Sequence, residues 1–155
     1  MQPVFVLLTA KGCVHCKHFR TEIWPSLRPE MEKLATIVDV ELNSMSDLPG
    51  PPKYPADLAR YAGNYPTFVL ISGSAWKNAY IDPTKGHVPG VVFGEEWQGD
   101  KMVRVKRAYT KEALLRWVHE LRDLPASDLP RPMLSIPTNA PSDICRAVRY
   151  RSKYP

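Results

Sequence analysis

The most apolar stretch of the chain, Pro3 to Ala10, is eight residues long, well short of the roughly twenty a helix needs to cross a bilayer. No basic residue precedes it, so it also lacks the charged start of a secretory signal, and a cytoplasmic protein that does not enter membranes is expected. Cysteine is scarce, with three in 155 residues. A structural zinc site needs about four ligands, and the third cysteine, Cys145, lies far from the other two, so no metal is expected. There is no internal repeat. Disorder of the whole chain is excluded by a composition of 44% hydrophobic and 24% charged residues. A length of 155 residues suits one domain with a sizeable core.

What is present begins with that apolar run. Val4-Phe5-Val6-Leu7-Leu8-Thr9-Ala10 reads as a core strand, broken at Lys11-Gly12. Cys13-Val14-His15-Cys16 then opens a segment of helical composition, so the C-x-x-C pair is expected at a strand-to-helix turn. At a helix N-terminus the free N–H groups and the positive end of the dipole favour a thiolate on Cys13, drawing its pKa from the ordinary ~8.5 toward or below neutrality. Cys16, about one turn on, is near enough to attack a mixed disulfide on Cys13 and release the product. His15, when protonated, sets positive charge beside that thiolate and makes the disulfide a better oxidant. Lys11 and Lys17 add to this, screened by solvent. In a reducing cytosol C-x-x-C is more often catalytic or metal-binding than structural, and without further ligands the redox reading is the expected one. Cys145 reads as an idle or buried thiol.

Two stretches resemble the thioredoxin superfamily. Cys13-Val14-His15-Cys16-Lys17 is similar to the Cys-Gly-His-Cys-Lys of protein disulfide isomerase domains, and Leu58-Ala59-Arg60-Tyr61-Ala62-Gly63-Asn64-Tyr65-Pro66-Thr67-Phe68 to the family's helix leading into a strand opened by a cis-proline. The resemblance covers roughly residues 4 to 124. It implies an α/β, thioredoxin-like fold, a central mixed sheet flanked by helices, with a cis Tyr65–Pro66 bond facing Cys13. Tyr65, Pro66 and Thr67 would then form the substrate-docking edge, where an extended substrate adds itself as a strand. The chain departs from the family pattern at Leu7, where a buried carboxylate is usual, and at Gly12, where a tryptophan is common. Its helix prolines, Pro25 and Pro29, also stand farther from the second cysteine than the family's.

Along the rest of residues 1–124, Phe19, Ile23 and Trp24 suit one buried helical face, and Pro25 or Pro29 can kink that helix or start another. Thr36 to Leu42 reads as a strand, 43–55 as a proline-rich loop, Leu58 to Tyr61 as a helix capped by Asp57 and ended at Gly63-Asn64, and Thr67 to Ile71 as a strand. Ser72 to Gly90, polar and turn-rich with Asp82-Pro83 and Lys85-Gly86, reads as an insertion. Val91 to Phe93 and Met102 to Lys106 are further strand candidates, the second suited to an edge. Thr110 should cap a helix whose apolar positions are Leu114, Trp117, Val118 and Leu121, stopped by Pro125. Trp24 and Trp117 are core candidates; Trp76 and Trp97 sit in polar surroundings that suit a surface groove. His87 and His119 read as a loop and a helix residue. Residues 125–155 form a C-terminal extension with six prolines and net charge +3 of the chain's +5. There Arg146, Arg149, Arg151 and Lys153 interleave with Tyr150 and Tyr154, a pattern that suits phosphates and stacked bases. An extended arm is the expected reading all the same, and nucleic-acid binding is not.

The expected function is thiol–disulfide oxidoreductase, with Cys13, Cys16 and His15 as catalytic residues and Cys13–Cys16 as the redox-active disulfide. Its partners would be protein dithiols or disulfides plus an external reductant or oxidant, with no cofactor beyond the cysteine pair. The alternatives are a glutaredoxin-like, glutathione-linked reaction and a non-catalytic interaction module of the same fold.

Overall fold

A computed structural model describes residues 1–44, 58, 61, 64–81, 90–98, 101–105 and 108–122. The Pro-rich loop from residue 45, the Asp57 cap, Ala59 and Arg60 of the expected Leu58 to Tyr61 helix, Gly63 at its end, Asp82-Pro83, Lys85-Gly86, His87 and the extension 125–155 with Cys145 lie outside the described residues.

The chain is mixed α/β, and its centre is the strand β1 (Val4–Ala10), in which every residue is buried. A strand covered on both faces needs apolar residues at successive positions rather than in alternation, which is what Val4 to Leu8 supply. β1 pairs in parallel with β2 (Thr36–Leu42) and antiparallel with β3 (Thr67–Ile71), which pairs antiparallel with β4 (Gly90–Val92). The sheet order is β2-β1-β3-β4. A separate hairpin joins β5 (Glu95–Gln98) to β6 (Lys101–Arg104). It follows a turn at Gly94, whose φ of +93° lies where side chains other than glycine are strained.

Because side chains alternate across a strand, β1 builds two cores at once. Val4, Val6, Leu8 and Ala10 join Cys13, Cys16, Leu58, Tyr61, Tyr65, Val69 and Ile71 on one face. Phe5 and Leu7 join Phe19, Trp24, Leu27, Met31, Phe68, Leu114, Trp117 and Val118 on the other. Aromatic rings dominate this second layer. Phe68 contacts Phe5, Phe19, Phe93 and Tyr109 with centroids 5.0 to 6.2 Å apart, the spacing of favourable ring pairs.

The helix after the cysteines settles the proline question locally. α1 (Val14–His18) passes through a π-helical turn, Phe19–Ile23, into α2 (Trp24–Met31), and the Trp24 N–H reaches back five residues to the Phe19 carbonyl. Pro25 stands in the first turn of α2 and Pro29 inside it. A wider turn just ahead of Pro25 keeps the carbonyl four residues back off the pyrrolidine ring, so the extra residue is absorbed without a break.

The stretch Ser72 to Gly90, expected as an insertion, carries a helix, α3 (Gly73–Ile81), that its polar, turn-rich sequence does not announce. Ser72 caps it: its hydroxyl accepts the Ala75 N–H at 3.2 Å and its carbonyl the Trp76 N–H at 3.0 Å. Ala75 and Trp76 pack on the core face that holds the cysteines, so Trp76 is partly buried there. A Cβ on Gly73 would run into the Gln2 carbonyl and the Met1 side chain, which is why this helix begins on a residue with no side chain. β5 has no counterpart in the sequence reading, and β6 falls one residue earlier than Met102 and stops at Arg104.

α4 (Lys111–Arg122) forms as its spacing predicts, burying Leu114, Trp117 and Val118. The Thr110 hydroxyl accepts the Ala113 N–H at 3.1 Å, and Lys111 reaches Glu30 of the neighbouring helix at 2.7 Å. Thr110→Ala removes that cap from a helix carrying two large core residues. It should cost about 1 kcal/mol and lower Tm by about 2–4 °C in a calorimetric scan. An unchanged Tm would mean that α4 is held by its apolar face alone.

Candidate active site

The turn between β1 and α1 is built from short-range bonds. The Lys11 N–H bonds the Leu42 carbonyl at 3.0 Å, tying the strand end to β2, and the Cys13 N–H bonds the Ala10 carbonyl at 3.3 Å. Gly12 makes the reversal with φ +83°, and a Cβ there would meet nothing within 4 Å. Backbone conformation, not space, calls for glycine at that point.

Cys13 is the N-cap of α1 with extended φ, ψ of −93°, 114°, and its Sγ accepts the Cys16 N–H at 3.3 Å. Its carbonyl accepts the Lys17 N–H at 3.1 Å, the first helical bond. On its other side Cys13 Sγ donates to the Tyr65 carbonyl at 3.7 Å. One sulfur thus touches the backbone of its partner cysteine and the backbone of the residue before Pro66. Both cysteines are buried. His15 is exposed, as are Lys11, Val14, Lys17 and His18.

The Tyr65–Pro66 peptide bond is cis. Tyr65 and Pro66 are buried, and Thr67 is buried with its hydroxyl donating to the Asn64 carbonyl at 2.5 Å. β3 starts here, with Thr67 opposite Leu8 of β1. The structure therefore brings Cys13, Cys16 and Tyr65 together in one core cluster, sets His15 at the rim, and turns the Thr67 hydroxyl to its own chain. Among the described residues no group of three His, Cys, Asp or Glu side chains is arranged to hold a metal ion, and no helix is long and apolar enough to cross a membrane.

A polar group behind the second cysteine escaped the sequence reading. Arg20, four residues after Cys16, donates to the buried Thr9 hydroxyl at 2.9 and 2.6 Å and to both Asp39 oxygens at 3.1 and 2.5 Å. The Thr9 hydroxyl in turn donates to the Val40 carbonyl at 3.5 Å. The Asp39 hydrogen bond raises the Arg20 pKa against the opposing effect of burial, and the charges of Asp39, Glu41 and Cys16 act in the same direction. Arg20 is therefore a fixed cation within electrostatic reach of Cys16. Leu7 lies in the aromatic layer with Phe5 and Phe19, not in the cluster of the thiols. The signal for this group was Asp39, one of two charges in a largely apolar strand, which gave no hint of its partners 19 and 30 residues earlier in the chain.

No family model, curated protein or solved structure matches the chain. The functional reading rests on this geometry and on the residues that form it.

Proposed function

We propose that the chain is a thiol–disulfide oxidoreductase of thioredoxin-like fold, acting in the cytoplasm on protein disulfides or dithiols. The observation that carries the reading is the position of Cys13 Sγ, at a helix N-cap, 3.3 Å from the Cys16 N–H and 3.7 Å from the Tyr65 carbonyl. Strand order, the parallel β1–β2 pair, the antiparallel β1–β3 pair and the cis-proline beside the cysteines all fit the thioredoxin-like fold.

The chemistry follows from two sulfurs and their neighbours. The Cys13 thiol gives up its proton, and the Cys16 N–H, already directed at the sulfur, supports the thiolate. The thiolate attacks one sulfur of a substrate disulfide; a mixed disulfide forms and the other substrate sulfur leaves as a thiolate. The Cys16 thiol then loses its proton and attacks Cys13 Sγ, so the Cys13–Cys16 disulfide forms and the second substrate sulfur leaves. Two electrons pass from the pair to the substrate, and an external dithiol re-reduces the pair; in the reverse direction, where the pair oxidises a substrate dithiol, an external disulfide re-oxidises it. Substrate reaches the attacking sulfur from the exposed side formed by Gly12, Val14 and His15, with the buried Tyr65-Pro66-Thr67 segment forming the wall behind that sulfur.

Equilibration with glutathione mixtures tests this. A single reversible two-electron transition that disappears in Cys13→Ser is the expected result; a pair that stays reduced against every mixture overturns the proposal. In the same assay His15→Pro should lower the reduction potential by tens of millivolts, ~30 mV corresponding to 1.4 kcal/mol. Proline is tolerated in a first helical turn, so the change isolates the lost charge. An unchanged potential removes His15 from the redox chemistry.

A further inference from the structure

Charge around the thiols is one-sided. The chain has no acidic residue before Glu22, whereas Lys11, His15, Lys17, His18 and Arg20 all precede it. Lys11, His15, Lys17 and His18 are exposed, and none of them is in an ion pair among the described residues. The fifth cation, Arg20, is taken by Asp39. Lys17 is held close to the site because its own N–H bonds the Cys13 carbonyl, and Lys11 because its N–H is pinned to the Leu42 carbonyl one residue before the turn. Two lysines therefore flank Cys13 on either side along the chain, with no carboxylate paired to them among the described residues. Between them stands Val14, 67% exposed and, with Met1, one of two large hydrophobic side chains so exposed among the described residues.

An exposed charge cluster is most often a solvated face, and two exposed acids, Glu22 and Glu41, offer a way to weigh that reading here. Glu41 acts on Arg20, on the flank of the site behind Cys16, and Glu22 lies two turns beyond it. Neither stands in the turn where a substrate sulfur must arrive. Among the described residues positive charge thus remains uncompensated at the approach to Cys13, where it steers anions and repels cations.

Building on the redox reading above, we propose that the substrate is an acidic polypeptide segment: an extended stretch whose cysteine is flanked by Asp or Glu, with an apolar side chain covering Val14. The mixed disulfide on Cys13 brings the flanking carboxylates to Lys11 and Lys17, so the lysines act on both encounter and intermediate. Cationic segments are rejected by the same two charges, which gives selectivity without a deep pocket.

The test uses three disulfide probes against the reduced full chain at about pH 8, where imidazoles are largely neutral: a Glu-flanked cystine peptide, the same peptide with Lys, and a small uncharged disulfide reagent. At ~0.01 M salt, where screening reaches ~30 Å, the Glu peptide should exchange about tenfold or more faster than the Lys peptide. The gap should close near 1 M salt, where screening reaches ~3 Å. Lys11→Glu combined with Lys17→Glu should invert the order, and Lys11→Gln with Lys17→Gln should abolish it. Equal rates for the two peptides at low salt, with the uncharged reagent still exchanging, overturn the acidic-substrate inference and leave the redox reading standing. No exchange with any probe overturns both.

Discussion

Cys16→Ser should accumulate a stable mixed disulfide with substrate on Cys13, whereas Cys13→Ser should trap nothing, and both variants should lose turnover to the uncatalysed background. Exposure does not make this assignment, since Cys13 is 3% and Cys16 2% accessible. Hydrogen bonding does. The Cys16 N–H points at the Cys13 sulfur, and no bond in the reverse sense can form, because the N–H groups that a helix leaves free are those of its first turn and point toward the cap. A negative charge is therefore better supported on Cys13, and the residues bordering it, Gly12, Val14 and His15, are exposed, so a substrate sulfur arrives at Cys13 first. Once the mixed disulfide exists, Cys16 stands one helical turn away and is the only other thiol in the site among the described residues. Serine in its place cannot complete the exchange, and the adduct persists. Non-reducing electrophoresis or intact-mass measurement after incubation with a disulfide substrate reads the result. Equal trapping by the two variants would sink the assignment, and trapping by Cys13→Ser alone would reverse it.

Elements set by short-range rules were legible from the residues. β1 announced itself through an unbroken β-branched and apolar run, β2 and β3 through similar runs with clear ends, and α4 through Thr110 and the Leu114, Trp117, Val118 spacing. The turn carrying Cys13 was legible for the same reason: Lys11-Gly12 breaks a strand and the next residues favour helix. α3 was hidden because its only strongly apolar described face is Ala75 and Trp76, set in a polar stretch, and its cap, Ser72, resembles any loop serine until the Ala75 N–H is seen to reach it. The π turn at Phe19–Ile23 was hidden for a different reason. Nothing local distinguishes it from α-helix; it is the path that lets Phe19 stay in the aromatic layer while Pro25 enters α2.

The Arg20 group was illegible because it is tertiary. Thr9, Arg20 and Asp39 come from β1, the π turn and β2, and the parallel register that sets Leu7 beside Asp39 and Thr9 beside Glu41 is what allows one guanidinium to reach both strands. Only a quarter of each charged side chain is exposed, so the pair is neither the nearly neutral surface bridge nor the costly fully buried one. Its consequence is positional: it clamps the helix that carries Cys16 to the two strands beneath it.

Phe68→Ala should be the most damaging single core truncation, costing about 3–5 kcal/mol of a total that is ordinarily about 5–15 kcal/mol. Phe68 is 2% exposed, and its ring meets Phe5 of β1, Phe19 of the π turn, Phe93 after β4 and Tyr109 before α4. Truncation forfeits four ring pairs and the apolar transfer energy together. The void cannot collapse easily, because two of its walls are the paired strands β1 and β3 and a third is a helix already fixed by Trp24 and Leu27. The loss should appear in denaturant titration as a lower midpoint with an unchanged slope, and a cost below about 1 kcal/mol would show that the layer repacks. Phe93→Ala supplies the scale: that ring is partly buried and, among the described residues, pairs with Phe68 and Trp117, so its loss should cost clearly less. Phe68 points to the face of the sheet away from the cluster that holds Cys13, Cys16 and Tyr65. At temperatures where Phe68→Ala remains folded, its dithiol should therefore titrate against glutathione at the wild-type potential. A shift of the potential in the folded variant would mean that the aromatic layer sets the chemistry of the thiols as well as the stability of the fold.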